Sequence, residues 1–509
     1  MSFSLSVTAS RMVALTACCF LLAAPAAAVE EAMGVDDARH LLARTGFGPK
    51  LTEVRTISVL DRGQAVDQLL ASLPRRAQSE PPAWTADTEV LVQRRPTREE
   101  LVALNAAQLV QVSELRGWWL NEMVSTPAPL VERMTLFWHN HFTSGRQKVR
   151  FPQLMYRQNA LLREHALGNF ATLLHAASKD PAMIIYLDAA SNRRGQPNEN
   201  FAREVMELFT LGEGHYSETD IREAARAFTG WSLDGQREFM MRRGLHDGGE
   251  KTVLGRSGRF EGDDVLDILL AQPRTAEFIV EKLWREFVSP EPEPAQVARI
   301  AGVFRDSGYE VRTALRELLL SPAFWAPANR ASLIKSPAEY VAGMLRQFAV
   351  PVANGMPFAA AMVGMGQTLF EPPNVKGWPG GESWINAATL LTRKQFAERL
   401  LRVDERVMSR GMAGAPTMDA GNRAMEMGMA PAQAAAPSVA NAGVALRAMT
   451  RLPPPSFDSA RWLAEFSADR DPFVERLLLA AAPVQPMPAG VAGIEWLRQL
   501  TLDPTYQLK

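Results

Sequence analysis

The sequence predicts a mainly α-helical protein: a large multi-helix globular domain with long loops and room for a minor β-hairpin. Three observations lead there. Apolar residues recur at helical spacing along most of the chain. Alternating runs rich in β-branched residues, the mark of strands, are scarce. The chain has 509 residues, 47% hydrophobic and 22% charged, enough apolar material for a large buried core. Its 56 acidic and 55 basic residues nearly cancel. That balance excludes wholesale disorder and a protein whose work is to coat nucleic acid.

Residues 1–28 read as a secretory signal peptide. Arg11 precedes a short apolar run over 12–24, and Ala26-Ala27-Ala28 offers a small-residue cleavage site. The run is shorter than the roughly 20 residues that span a bilayer. No later apolar run is long enough for a transmembrane segment in the mature chain. Cleavage would remove Cys18 and Cys19, the only 2 cysteines. The exported chain would then have neither a disulfide nor a thiolate ligand, and its expected location is periplasmic or secreted.

The main helical domain is expected over 29–407. It opens with a helix over 33–42, closed by the turn Thr45-Gly46-Phe47-Gly48-Pro49. A second helix covers 61–73, and the polar, proline-interrupted stretch 74–96 is a surface excursion. A long helix follows over 99–124, with Leu101, Leu104, Leu109, Val112, Leu115 and Trp119 on its expected buried side. After Pro127 and Pro129 the pattern resumes over 130–138. Helices over 154–164 and 170–177 flank Gly168. Asp180-Pro181 starts another over 182–187, since proline in the first turn loses no needed donor.

A polar turn at 193–197 precedes a helix over 201–211. Ser217 and Asp220 have the spacing of a capping box and open a helix over 218–228. Residues 230–262, rich in glycine and charge, read as a hairpin or a long loop. Helical patterning returns over 263–271, 275–287, 294–306, 311–320 and 336–348. The composition changes near Met408, and residues 408–431 hold six methionines among Gly, Ala and Pro. Residues 408–450 therefore read as a flexible linker or insertion. The proline run Pro453-Pro454-Pro455 leads into 451–509, whose helices over 459–466 and 472–481 are expected to pack on the main domain.

Candidate chemistry concentrates in three places. Phe137-Trp138-His139-Asn140-His141-Phe142 offers two imidazoles, ligands for zinc, copper, iron or nickel. On a continuous helix, His139 and His141 point about 200° apart. They can share an ion only if the helix ends here or the piece is extended. The alternative is an aromatic-rich helix end whose imidazoles bond to backbone. Second, Glu204 and Glu207 are i,i+3 neighbours beside an apolar face of Phe201, Val205 and Leu208. A buried carboxylate pair needs a cation, a shared proton or a basic partner. Arg203 stands four residues from both Glu199 and Glu207, so a helix-edge salt-bridge network is the competing reading. Third, His246-Asp247 is either an imidazole oriented by a carboxylate or a solvated turn. Gly377-Trp378-Pro379-Gly380-Gly381 is a tight aromatic loop that walls a pocket or packs Trp378 closely. No phosphate-binding Walker loop, dinucleotide fingerprint, His-Glu-x-x-His zinc motif, calcium loop or Gly-x-Ser-x-Gly elbow occurs.

Several of these stretches together resemble one family. They are Trp138-His139-Asn140-His141-Phe142, Asp180-Pro181-Ala182-Met183, residues 197–212, 224–231 and 246–255, and Phe370-Glu371-Pro372-Pro373-Asn374-Val375-Lys376 running into Gly377-Trp378-Pro379-Gly380-Gly381. The sequence is similar to the DUF1800 family of bacterial proteins of uncharacterised function, over about residues 38–401 with a return near the C-terminus. The resemblance implies export and leaves the activity unassigned. It also implies an exported DUF1501-like partner, a group similar to alkaline phosphatases and sulfatases. Two functions follow as expectations. One is a metal-assisted hydrolase or other periplasmic enzyme. There, His139, His141, Glu204, Glu207 and His246 would hold a divalent metal, and Arg203 or Asp247 would stabilise or orient the substrate. The other is a non-catalytic scaffold or maturation partner of a DUF1501-like protein, contacting it through exposed loops around Trp231 and Trp378. No nucleic-acid partner is expected.

Overall fold

The computed structural model describes residues 1, 31–71, 73–88, 97–412, 457–466, 470–487 and 490–509, with only the backbone for 402–412 and 470–471. The expected signal peptide beyond Met1, both cysteines, and most of the expected linker therefore lie outside the described residues.

Helices carry the architecture, as the periodicity predicts. Three short ones open it: α1 (Gly34–Thr45), α2 (Leu51–Ile57) and α3 (Arg62–Leu70). Then comes α4 (Arg98–Ser125), started by a reciprocal capping box between Thr97 and Glu100. Its carboxyl half buries Val112, Leu115 and Trp119, but Leu101 and Leu109 are each 41% exposed. The expected apolar stripe is thus correct for one half only, because burial along α4 begins at Ala106. Farther along, Gly117 lets another segment approach: a Cβ there would lie 2.7 Å from the Met356 backbone nitrogen.

Proline at the first turn starts α5 (Pro129–His141), α6 (Pro152–Glu164) and, after α7 (Phe170–Ser178), α8 (Pro181–Tyr186). Rings from α5 and α7 meet in the core, with Trp138 and Phe170 stacked at 5.7 Å. Next, α9 (Glu199–Glu204) runs into a π-helical segment, Val205–Thr210. The Ser217–Asp220 capping box opens α10 (Glu218–Ala227) as expected. The glycine-rich region after it holds two antiparallel hairpins, β1 (Trp231–Leu233) with β2 (Phe239–Met241), and β3 (Lys251–Val253) with β4 (Arg256–Gly258).

The chain continues through α11 (Gly262–Leu270), α12 (Pro273–Phe287), α13 (Pro294–Asp306), α14 (Val311–Leu319), α15 (Pro322–Trp325), α16 (Pro337–Gln347), α17 (Met356–Gly364) and α18 (Ala387–Met412). The last of these extends past the composition change at Met408. Closing the chain are α19 (Ser459–Ala464), α20 (Arg470–Leu478) and α21 (Gly493–Leu502). The final residues pair with the segment ahead of α16: Lys335 N donates to Gln507 O at 2.8 Å and Lys509 N to Leu333 O at 2.9 Å. Trp462 Nε1 of α19 donates to Gln347 O at 2.8 Å. Buried side chains from α1 to α21 form one contiguous apolar core. Among the described residues, no helix is long and apolar enough to cross a membrane.

Candidate functional site

The carboxyl end of α5, the polar edge of α12, the start of α16 and the loop Lys376–Gly381 enclose a cleft of about 440 Å³. Its wall carries the cations Arg133, Lys282, Arg285, Lys376 and Lys509 against the carboxylates Glu286 and Glu339. Asn140 holds the loop to α5 from both sides. Trp378 N donates to Asn140 Oδ1 at 2.6 Å, and Asn140 Nδ2 donates to Trp378 O at 3.3 Å. Gly377 makes this possible: its φ is +83°, and a Cβ there would sit 2.2 Å from Asn140 Oδ1.

Two residues of the cleft wall, His141 and Lys282, are anchored on the π-helical segment behind them. The sequence reads 201–211 as one α-helix, but the α pattern stops at Glu204 and residues 205–210 bond at the wider spacing. Such segments shift the register of the carbonyls that follow and recur at functional sites. Here three carbonyls at its end are met by side chains. Lys282 Nζ donates to Leu208 O, His141 Nε2 to Phe209 O and Arg274 Nε to Leu211 O, each at 3.1 Å.

These partners assign the His141 tautomer. With Nε2–H directed to Phe209 O, the Nδ1 lone pair is free to accept from Lys282 Nζ, 3.0 Å away. Burial, reinforced by Lys282, holds His141 well below the usual histidine range, so the ring is neutral. Lys282 reaches the cleft along a partly exposed stem, while its ammonium lies 4.8 Å from the Phe278 ring centre. Burial of that ammonium, with Arg285 nearby, brings Lys282 down to about 7.

The residues singled out from the sequence are distributed differently from the single site expected. α5 runs unbroken through His141, which sends the two histidines to opposite sides. His141 joins the cleft. His139, fully buried, lies among the rings of Trp119, Phe370 and Trp378 at 5.5, 5.5 and 5.7 Å. Neither of its nitrogens has a partner among the described residues, and burial lowers it to about 4. Glu204 and Glu207 do converge electrostatically: burial first, then Glu207, raises Glu204. Glu207 accepts from Tyr216 Oη at 2.6 Å and lies 3.9 Å from Lys376 Nζ on the cleft rim.

Arg203 does not serve Glu207. It grips Glu218 at 2.9 and 2.7 Å, with Glu199 at 3.4 Å. His246 Nδ1 meets Thr229 O at 2.9 Å, whereas Asp247 binds Arg226 at 2.8 Å and is pulled to about 2 by it. Asp247 is therefore an arginine partner, and the reading of it as the orienter of the neighbouring imidazole is corrected. Trp231 and Trp378 are 3% and 5% exposed, so neither ring offers a docking surface. Among the described residues, no group of three or more His, Cys, Asp or Glu side chains is placed to hold a metal ion.

Lys282, Arg133, Arg285 and Glu339 escaped the sequence reading. Lys282 lies 141 positions from its histidine partner, on a helix whose amphipathic pattern is ordinary. No local signal marks it.

A family model described as a protein of unknown function, DUF1800, matches residues 40–487. No curated protein and no solved structure matches the chain.

Proposed function

We propose, on the premise that this chain belongs to the DUF1800 family of proteins of unknown function, that it is an exported enzyme performing acid–base chemistry on a small anionic substrate in the cleft. One observation carries the reading: Lys282 Nζ is bonded to the Nδ1 of a neutral His141 in the wall of a cation-lined cleft. An amine that titrates at about 7 is present in both forms near neutral pH, the condition for taking and returning a proton in one cycle. The neutral amine accepts a proton from the substrate or from water, and the resulting ammonium returns it to the departing or product group. His141 Nδ1 steadies the ammonium between the two events. Arg133, Arg285 and Lys376 supply the field for a carboxylate or phosphate. A volume of about 440 Å³ suits a small molecule. Export rests on the apolar leader within residues 1–28.

Pulsed acetylation with acetic anhydride, read by mass spectrometry across pH, tests this. Lys282 should become reactive with a midpoint near 7, and small carboxylates or phosphates should protect it. A midpoint close to the ordinary lysine value, about 10, would remove the basis for the proposal.

The metal-assisted hydrolase is the second reading, favoured by the Glu204–Glu207 pair. A divalent cation would relieve the burial and repulsion that raise Glu204. Elemental analysis separates the two. A stoichiometric metal that disappears in Glu204→Ala supports the metal reading. Metal-free protein with a near-neutral Lys282 supports the first.

A further inference from the structure

A second cavity, about 340 Å³, lies between α1, the segment around Arg330 and the carboxyl end of α20, and shares no lining residue with the first cleft. Three arginines line it. Arg330 bonds Asp37, and Arg476 Nε bonds Asp36 at 2.7 Å. Arg39 is different. It is 5% exposed, forms no hydrogen bond or ion pair with any described residue, and its Nε is sealed from solvent without an acceptor.

A guanidinium remains a cation under any physiological condition, and an unpaired charge in the interior is strongly unfavourable. The surroundings do not supply the missing anion. Asp36, the acid whose field favours the Arg39 charge, is bonded to Arg476, and Arg330 adds repulsion. Deeper in, Arg44 is held by the carbonyls of Phe287 and Val288, and Lys335 by that of Tyr506. The buried carboxylate there, Glu339, is taken by Arg133 and Lys509.

We infer that this cavity is a second ligand site, in which Arg39 receives the carboxylate or phosphate group of a small hydroxylated or amino-bearing compound. The planar fork suits two parallel hydrogen bonds to such an oxyanion. Glu475, whose carboxylate makes no hydrogen bond with a described residue, shares the lining and suits a ligand hydroxyl or ammonium. Leu479 and Ala480 to Ala482 provide apolar contact for the carbon skeleton.

Thermal unfolding of the full chain tests the site, with malate and glycerol phosphate as probes and chloride at matched ionic strength as control. At saturation, at least one probe should raise Tm by about 2–5 °C, and which one does so identifies the oxyanion. Arg39→Met should abolish the rise, while Lys282→Met should keep it. In probe-free buffer Arg39→Met should be at least as heat-stable as the parent, since an apolar side chain of similar length replaces an unpaired charge. The inference is overturned by no rise with either probe, by a rise that survives Arg39→Met, or by one lost in Lys282→Met, which would move binding to the first cleft. A destabilised Arg39→Met in probe-free buffer also overturns it, by assigning the charge a structural role.

Discussion

Asp180 shows how a single side chain can serve a helix and oppose the fold at the same time. Its carboxyl caps α8 through Met183 N at 3.2 Å and accepts from Gln158 Nε2 at 2.9 Å. Burial nonetheless raises it to about 7, against the pull of those bonds. An unfolded aspartate ionises near 4, about three units lower. Between those values the folded chain keeps a proton that the unfolded chain has released. Stability therefore falls as pH rises through that window, and the deficit is constant above about 7. Asp180→Asn keeps an oxygen for the cap and removes the charge. It should match the parent in urea unfolding near pH 4 and exceed it near pH 8, by on the order of 2–4 kcal/mol. An Asn variant no more stable than the parent near pH 8 contradicts this. The Asp180-Pro181 helix start was legible in the sequence, because capping is local. The titration was not, because the burial that causes it is built by the surrounding helices. His139 and His141 divide in the same way. Their type is visible in the string, but one ring meets three aromatic neighbours and the other a lysine far along the chain.

Elements were legible where their causes lie within a few residues. The Asp180-Pro181 start of α8 and the Ser217–Asp220 capping box of α10 sit where local pattern places them. The π-helical segment is the instructive exception. Phe201, Val205 and Leu208 keep helical spacing, so the string reads as a single α-helix over 201–211. The wider turn is bonded both from within and from other helices. Thr210 Oγ1 returns to Val205 O at 2.7 Å, and Lys282, His141 and Arg274 occupy the carbonyls at the end of the segment. Without those three side chains, from α5 and α12, the segment would leave acceptors unmet in a buried place. The same bonds fix Lys282 and His141 at the cleft, so the irregular turn and the site share these contacts. The amino half of α4 fails for the opposite reason: it has an apolar pattern, yet Leu101 and Leu109 stay exposed.

Among the described residues, buried positive charge exceeds buried negative charge. Arg39, Arg44, Arg133, Lys335, Arg346, Arg393 and Lys509 are all buried among the described residues, and backbone carbonyls help to hold Arg44, Lys335 and Arg393. The cation-lined cleft and the unpaired Arg39 are two outlets of that excess. Glu339 is the acid that holds its centre together. From α16 it binds Arg133 of α5 and Lys509 near the chain end, the latter at 2.5 Å, and accepts from Ser336 N at 2.8 Å. Burial alone would raise its carboxyl, but Arg133 and Lys509 prevail and hold it at about 2. Unfolded glutamate ionises near 4.3, so the stability this contact contributes is complete above about that value. It is lost as pH falls through about 2. Glu339→Gln leaves Lys509 buried without its carboxylate and Arg133 with Glu286 alone, at 2.5 Å. The expected loss is about 3–5 kcal/mol at neutral pH. Urea unfolding across pH should also show a shallower acid limb for the variant between about 4.5 and 2, because the titrating group is gone. Parent and variant curves that descend in parallel through that range would show that the centre is held by the carbonyl contacts instead.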